Sequence, residues 1–110
     1  VTDARGRKLE IHKIHQPNPI LLTKEESEGV DAVEGTLPRQ EGDRMAASYI
    51  NFYFCNCGVV VPQFNDPHDR AAIDTLQKLL PERKVIGIYA CEILLGGGNI
   101  HCITQQQPAV

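Results

Sequence analysis

The segment Tyr49-Ile50-Asn51-Phe52-Tyr53-Phe54-Cys55-Asn56-Cys57-Gly58-Val59-Val60-Val61 contains two β-prone runs on either side of a turn. Aromatic and β-branched residues dominate Tyr49–Phe54, which is typical of a buried strand. The turn Asn56-Cys57-Gly58 ends in a glycine that can adopt a positive φ. Val59–Val61 predicts the returning strand, which we expect Pro62 to end because proline donates no ladder hydrogen bond. The segment therefore predicts a β-hairpin.

A helix is predicted directly after this hairpin. Asp66 is a suitable N-cap, Pro67 suits the first helical position, and Asp69 would lie near the positive end of the helix dipole. We expect Pro81 to end the helix. Apolar residues at helical spacing form one stripe on it, namely Ala72, Ile73, Leu76, Leu79 and Leu80.

A third strand is predicted at Val85–Tyr89, with further pairing expected at Ile93–Leu95. Strand, strand, helix and strand make one ββαβ unit, so the predicted fold class is α/β (α+β). Towards the N-terminus, alternating residues at Leu9–His15 predict a strand, and Ile20–Thr23 predicts a second, short one. The polar stretch Lys24–Met45 predicts a long loop, and loops of this length are usually functional.

Composition limits the class of protein. The chain has 110 residues, of which 42% are hydrophobic, enough for one small domain. The formal charge of −3 argues against a nucleic-acid-binding protein, which usually carries a concentrated basic patch. No apolar run approaches the ~18 residues that span a bilayer, and no signal peptide opens the chain. We therefore expect no nucleic-acid or membrane partner.

The four cysteines match no compact secreted scaffold, so we expect a reduced, cytoplasmic protein. Their spacing also fits no standard zinc knuckle, which argues against a metal site. A disulfide between Cys57 and Cys91 requires their Cα atoms to come within ~7 Å, a question that the sequence leaves open.

The string Gly96-Gly97-Gly98-Asn99-Ile100-His101-Cys102 predicts a catalytic site with a reactive cysteine. Glycines let a main chain approach a ligand closely, and cysteine is the side chain best able to attack an electron-poor carbon near neutral pH. The alternative for Cys102 is a buried structural thiol. His101, adjacent on an assumed extended strand, would face away from Cys102 and serve packing.

The string, continued by Ile103-Thr104-Gln105-Gln106-Gln107-Pro108, resembles the C-terminal signature of the agmatine deiminases, guanidine-modifying enzymes of the pentein superfamily. Three further blocks resemble family segments: Asp31-Ala32-Val33-Glu34-Gly35-Thr36-Leu37-Pro38-Arg39, Ala47-Ser48-Tyr49-Ile50-Asn51-Phe52-Tyr53 and Val61-Pro62-Gln63-Phe64. Two positions depart from the family pattern, since Cys57 replaces a glycine and Cys91 an arginine.

The resemblance implies that Cys102 is the nucleophile and that Gly96, Gly97, Gly98 and Asn99 bind the substrate. It implies hydrolysis of agmatine to N-carbamoylputrescine and ammonia through a thiouronium intermediate, in putrescine biosynthesis, with neither cofactor nor metal. Asn51 allows two interpretations, a hydrogen bond near this site or a satisfied strand amide. The other histidines, His12, His15 and His68, are given no catalytic role.

The resemblance also implies that residues 1–110 are the C-terminal part of a single pentein catalytic domain. In this interpretation 1–47 ends a preceding module and 48–110 forms the ββαβ module with the nucleophile segment. The family's catalytic histidine and carboxylates would lie upstream, so we expect the chain alone to be inactive and to need the missing part or a homo-oligomer. The alternatives are a non-catalytic assembly or scaffold fragment and another guanidine-acting deiminase, specific for arginine or peptidyl-arginine.

Overall fold

The computed structural model describes residues 1–29 and 40–109 of the chain. Its regular elements are two α-helices and three strands: α1 at Lys24–Glu28, β1 at Tyr53–Cys55, β2 at Gly58–Gln63, α2 at Asp69–Leu79 and β3 at Lys84–Tyr89. The strands form one sheet in the order β1-β2-β3, with β1 antiparallel and β3 parallel to β2. The predicted ββαβ unit is therefore confirmed.

The hairpin forms, but its first strand is shorter than Tyr49–Phe54. Tyr49 is 1% exposed and lies in a turn before β1, where its hydroxyl donates a 2.6 Å hydrogen bond to Asp69. This hydrogen bond joins the turn to α2, and the pairing with β2 begins only at Tyr53. Residues 49–52 instead connect the core to the hairpin.

Gly58 is required for a reason other than the predicted positive φ, which it does not adopt. A Cβ at this position would lie 2.9 Å from the main-chain oxygen of Lys84, its partner on β3. Such a contact is shorter than van der Waals packing allows. Glycine therefore lets the two parallel strands start at their normal spacing.

Pro62 does not end β2, which continues to Gln63. The Lys84 N–H bonds to the Cys57 oxygen and the Ala90 N–H to the Gln63 oxygen, at the two ends of the β2–β3 pair. The main-chain N–H and C=O groups of the odd-numbered residues of β2 therefore point towards β3. Pro62 faces the other side, where the pairing with β1 stops at Val60. The missing N–H of proline consequently removes no ladder hydrogen bond.

The helix α2 starts at Asp69 rather than directly after Asp66. Asp66 accepts hydrogen bonds from the main-chain N–H groups of His68 (2.9 Å) and Asn18 (2.8 Å), which closes a local turn instead of capping a helix. On the predicted stripe Ala72 and Leu76 are buried, whereas Leu79 is 36% exposed at the end of the helix. These two buried residues share the hydrophobic core with Val59 and Val61, both 0% exposed.

The predicted strand at Leu9–His15 is wrong. Leu9 and Ile11 are exposed, and no neighbouring strand within the described ranges pairs with this segment. A strand persists only where its backbone groups find partners. The short strand at Ile20–Thr23 reduces to a single bridge between Leu21 and Arg44.

The predicted loop at Lys24–Met45 contains the short helix α1. Thr23 and Glu26 form a capping box, in which each side chain accepts a hydrogen bond from the other residue's main-chain N–H. This local pattern was present in the sequence and explains why a helix replaces the start of the predicted loop. The block at 31–39 and the middle of the loop lie outside the described residues.

Ile93–Leu95 does not extend the sheet either. Ile93–Gly96 is a 3₁₀ helix, with main-chain bonds from Ile93 to Ala90 and from Leu94 to Cys91. Leu94 is 2% exposed and packs in the core. The chain reverses after β3 through these local bonds, and this reversal brings the glycine string back towards β1.

Candidate active site

The core fixes the segment that carries Cys102. Leu94 before the glycines and Ile100 after them are both buried in the hydrophobic core. Cys102 itself is exposed, in a second 3₁₀ helix at His101–Ile103. The exposed thiol is therefore held between two anchored residues and the main chain that follows them. Cys102 is not the buried structural thiol that was the alternative interpretation.

The predicted glycines differ in what the backbone requires of them. Gly97 has a φ of 89°, a left-handed conformation that strains other residues. A Cβ at Gly98 would lie 2.7 Å from the Cys102 Cβ and 2.9 Å from its sulfur. Gly96 is exposed, and a Cβ there would meet nothing within 4 Å. Gly98 is thus the glycine whose missing side chain makes room for the thiol.

Asn51 is the side chain in contact with the Cys102 sulfur. Its amide nitrogen lies 3.3 Å from Sγ, within hydrogen-bonding distance for sulfur. The Asn51 Oδ1 accepts a 2.8 Å hydrogen bond from the main-chain N–H of His101, and the Asn51 main-chain oxygen accepts from the same group at 3.2 Å. Since Oδ1 is occupied by an N–H donor, the NH₂ group must face the sulfur. Of the two interpretations for Asn51, the structure supports the hydrogen bond near the site.

This contact favours the ionised form of the thiol. The pKa of Cys102 is lowered from its ordinary value, first by the hydrogen bond from the Asn51 side chain and then by main-chain contacts at Asn99 and Cys102. Partial burial of the sulfur acts in the opposite direction and is the weaker effect. A larger thiolate fraction makes a cysteine a better nucleophile near neutral pH.

Asn99 is fully buried, with 0% of its surface exposed. Its Oδ1 accepts a 2.9 Å hydrogen bond from the Ile100 main chain, and its Nδ2 donates to the Ala46 main-chain oxygen at 3.5 Å. Its own main-chain oxygen accepts from the Cys102 N–H at 3.0 Å. The substrate-binding role for Asn99 stays a prediction, and the contacts describe a residue that ties the Cys102 segment to the segment before Tyr49.

His101 lies in the 3₁₀ helix, so the assumption of an extended strand at this point is wrong. Its side chain is exposed, and its main chain binds Asn51. In the described part of the chain no imidazole hydrogen-bonds to the Cys102 sulfur. His15 and His68 stack on each other instead, with ring centroids 3.9 Å apart.

Cys57 and Cys91 lie at opposite ends of the sheet. Cys57 precedes the Gly58–Lys84 pair at one end of β2 and β3, whereas Cys91 follows the Gln63–Tyr89 pair at the other end. Strands of this length separate their ends by about 20 Å. A disulfide between Cys57 and Cys91 would need Cα atoms within ~7 Å, so this fold excludes it.

Two absences concern the described residues alone. Within 1–29 and 40–109, no three His, Cys, Asp or Glu side chains are grouped as metal ligands. In the same ranges, no helix has the length and apolar character needed to cross a membrane.

Known proteins are similar to this chain over nearly its whole length. The sequence profile of the Porphyromonas-type peptidyl-arginine deiminase family matches residues 1–108. A Listeria monocytogenes protein provisionally named agmatine deiminase 1 is 68% identical over 107 residues, which are 97% of this chain and 30% of that protein. The agmatine deiminase of Pseudomonas aeruginosa is 55% identical over 107 residues, which are 97% of this chain and 29% of that protein.

A solved structure shows the same fold. The agmatine deiminase of Enterococcus faecalis superposes with a TM-score of 0.87 at 47% identity, over 98% of this chain and 29% of that one. The similarity confirms both the resemblance to agmatine deiminases and the pentein fold inferred from it. The chain spans about 30% of the length of the curated relatives that it matches.

Proposed function

Because this chain belongs to the Porphyromonas-type peptidyl-arginine deiminase family, we propose that it is the nucleophile-bearing part of an agmatine deiminase. The observation that supports this most directly is the arrangement around Cys102. An exposed thiol receives a hydrogen bond from Asn51 and occupies the space that the absent side chain of Gly98 leaves free. The complete enzyme is a hydrolase that acts on the C–N bonds of agmatine.

The first chemical step is attack on the guanidinium carbon. This carbon resists water because resonance delocalises the positive charge over three nitrogens. Hydrogen bonding from Asn51 increases the thiolate fraction of Cys102, and a cationic substrate next to the sulfur stabilises the anion further. The thiolate forms a C–S bond and gives a tetrahedral adduct. One nitrogen then takes a proton and leaves as ammonia, so a thiouronium remains on the sulfur.

The second step is hydrolysis. A water molecule, deprotonated by a general base, attacks the thiouronium carbon, and the C–S bond breaks to release N-carbamoylputrescine and the free thiol. The proton donor of the first step and the base of the second belong to a histidine outside the hydrogen-bonded surroundings of Cys102 described above. Carboxylates that pair with the guanidinium nitrogens are also supplied from beyond this chain, by the rest of the enzyme or by another subunit.

In this proposal the glycines contribute main-chain groups to the substrate. Gly97 and Gly98 keep the backbone beside the sulfur free of side chains, so carbonyl and amide groups can approach a planar guanidinium. Neither a metal nor an organic cofactor takes part in either step. The enzyme would act in the cytoplasm, and its product would enter putrescine biosynthesis.

A second substrate class is favoured by one observation. The family profile carries the name of peptidyl-arginine deiminases. The substrate named there, peptidyl-arginine, has the same guanidinium group that Cys102 would attack in agmatine. Agmatine, free arginine and peptidyl-arginine differ only at the end remote from the guanidinium. Contacts to that remote end therefore decide which substrate is used.

The proposal is tested in a chimera in which this chain replaces the matching 107 residues of the Listeria monocytogenes relative. Ammonia release is measured with agmatine, with arginine and with an arginine-containing peptide. We expect turnover with agmatine, and a loss of about four orders of magnitude or more in the Cys102→Ala variant, as for other nucleophile knockouts. The matched control is Cys57→Ser, which alters an exposed thiol at the far hairpin turn and should retain full activity.

Two results would contradict the proposal. Activity that survives Cys102→Ala in a folded chimera would remove the assigned nucleophile. Turnover of arginine or the peptide in preference to agmatine would leave the assignment of Cys102 intact but would contradict agmatine as the substrate. Circular dichroism of each variant separates a loss of chemistry from a loss of fold.

A further inference from the structure

The turn between β1 and β2 carries two exposed thiols. Cys55 is the last residue of β1 and is paired with Gly58, the first residue of β2. Residues 55–58 are therefore the four residues of a tight turn, with Cys55 at its first position and Cys57 at its third. Both thiols are free and exposed, so a small solute can reach them.

The backbone places the Cα atoms of these two cysteines within the range that a disulfide spans. Residues two apart have Cα atoms separated by at most about 7 Å when fully extended, and a turn brings them closer. Disulfides span Cα separations of about 4.4–6.8 Å. The Cys55 sulfur is also directed back across the turn, since it donates a hydrogen bond to the Gly58 main-chain oxygen at 3.2 Å. It lies beside the residue that directly follows Cys57.

We propose that Cys55 and Cys57 form a site of reversible oxidation, at which a peroxide converts the two thiols into one disulfide within the turn. The first thiolate attacks a peroxide oxygen, which breaks the O–O bond and gives a sulfenic acid and water. The second thiol attacks the sulfenic sulfur, forms the S–S bond and releases a second water. Two thiols and one hydrogen peroxide thus yield one disulfide and two waters, and an external dithiol reverses the change.

The fold favours this pair over the other cysteines. Cys91 follows the opposite end of the β2–β3 pair, about 20 Å away along the strands. Cys102 contacts Asn51, which lies two residues before the start of β1, whereas Cys55 is the last residue of that strand. The oxidation site is therefore separate from the proposed catalytic thiol and does not depend on the proposed function.

The test uses the full chain with Cys91→Ser and Cys102→Ser, which leaves the two turn thiols. Equimolar hydrogen peroxide is added, free thiols are counted with a chromogenic disulfide reagent, and the intact mass is recorded. We expect the two free thiols to fall to none, a mass loss of two hydrogen atoms, a monomer on a non-reducing gel, and full recovery with dithiothreitol. Peptide mapping of the oxidised wild-type chain should find Cys55 and Cys57 linked within one peptide.

The matched controls are the same background with Cys55→Ser or with Cys57→Ser. Each should keep its remaining thiol or gain oxygen atoms, without losing two hydrogens. Added oxygen on the two-thiol chain, disulfide-linked dimers, or a wild-type map that joins Cys55 or Cys57 to a different cysteine would each overturn the proposal.

Discussion

The side-chain amide of Asn51 donates a hydrogen bond to the sulfur of Cys102, 3.3 Å away and 51 positions later in the chain. The orientation of this amide is determined by the main chain next to the thiol, because the His101 N–H occupies its oxygen. One asparagine therefore binds both the Cys102 thiol and the main chain next to it.

Replacing Asn51 with alanine should make Cys102 less reactive. The hydrogen bond from Asn51 is the main cause of the lowered pKa of this thiol, so its loss should raise that pKa. Each unit of increase reduces the thiolate fraction near neutral pH about tenfold. The measurement is the pH dependence of iodoacetamide alkylation, in a chain whose other three cysteines are serine.

Asn56→Ala provides the control, since Asn56 is an exposed asparagine in the hairpin turn. Its alkylation profile should overlay that of the parent chain. An Asn51→Ala profile with an unchanged midpoint would show that the amide does not stabilise the thiolate.

Gly98→Ala should lower the activity and Gly96→Ala should leave it unchanged, although the two glycines are only two residues apart. The added methyl at Gly98 would lie 2.9 Å from the Cys102 sulfur, whereas at Gly96 it would meet nothing. Displacing a nucleophile by about 1 Å can cost on the order of 100-fold in rate. Ammonia release by the chimera should therefore fall by about that factor for Gly98→Ala and stay unchanged for Gly96→Ala. Equal activities of the two variants would contradict the steric role of Gly98.

Tyr49→Phe should destabilise the chain, because it removes a buried hydrogen bond to a carboxylate. Asp69 would keep its main-chain donors at Phe64 and Asp66, so we expect a loss of about 1–2 kcal/mol in urea denaturation. Tyr53→Phe, which removes a hydroxyl that makes no hydrogen bond in the described residues, should change the free energy of unfolding by less than about 0.5 kcal/mol.

The same tyrosine predicts a pH effect. Burial, followed by the neighbouring Asp69 carboxylate, raises the pKa of Tyr49 above its ordinary value. The unfolded phenol ionises at the ordinary value, so the stability that the neutral phenol contributes is complete below about pH 10 and is lost as the pH rises further. Urea midpoints measured from neutral to alkaline pH should fall less steeply for Tyr49→Phe than for the wild type. Parallel curves would argue against the buried phenol.

Two glycines in the sheet allow a test of the strand spacing. A Cβ at Gly58 would meet the Lys84 main-chain oxygen at 2.9 Å, whereas at Gly87 it would meet only the flexible Gln63 side chain, at 2.7 Å. Backbone cannot yield as a side chain can, so Gly58→Ala should cost about 1–3 kcal/mol of stability. Gly87→Ala should cost clearly less in the same denaturation experiment, and the reverse order would refute the close approach of β2 and β3.

The chain by itself should show no turnover of agmatine. The proposed mechanism needs a general acid–base and carboxylates that residues 1–29 and 40–109 do not bring to Cys102, and losing each costs orders of magnitude. Ammonia production by the purified chain should not exceed that of its Cys102→Ala variant. Measurable deimination that depends on Cys102 would instead mean that these groups come from the chain itself or from another copy of it.

Local patterns in the sequence were sufficient for the ββαβ unit. A turn at 56–58, the helical stripe that contains Ala72 and Leu76, and the β-branched run before Tyr89 each predicted their own element. These signals work because turn chemistry and apolar periodicity act over a few neighbouring residues. The strand at Leu9–His15 failed for the opposite reason, since alternation alone does not provide the neighbouring strand that a ladder requires.

The candidate nucleophile was also chosen from its local string, in which Cys102 lies four positions after Gly98, and its catalytic role stays a prediction. Which glycine matters, and which side chain binds the sulfur, could not be derived in this way. Gly98 and Gly96 are the same residue type, and only the folded chain places Cys102 against Gly98. Asn51, which contacts the Cys102 sulfur, lies 51 positions earlier in the sequence. Contacts between distant segments depend on how the core closes around Leu94, Asn99 and Ile100, and no neighbouring residue in the sequence encodes that geometry.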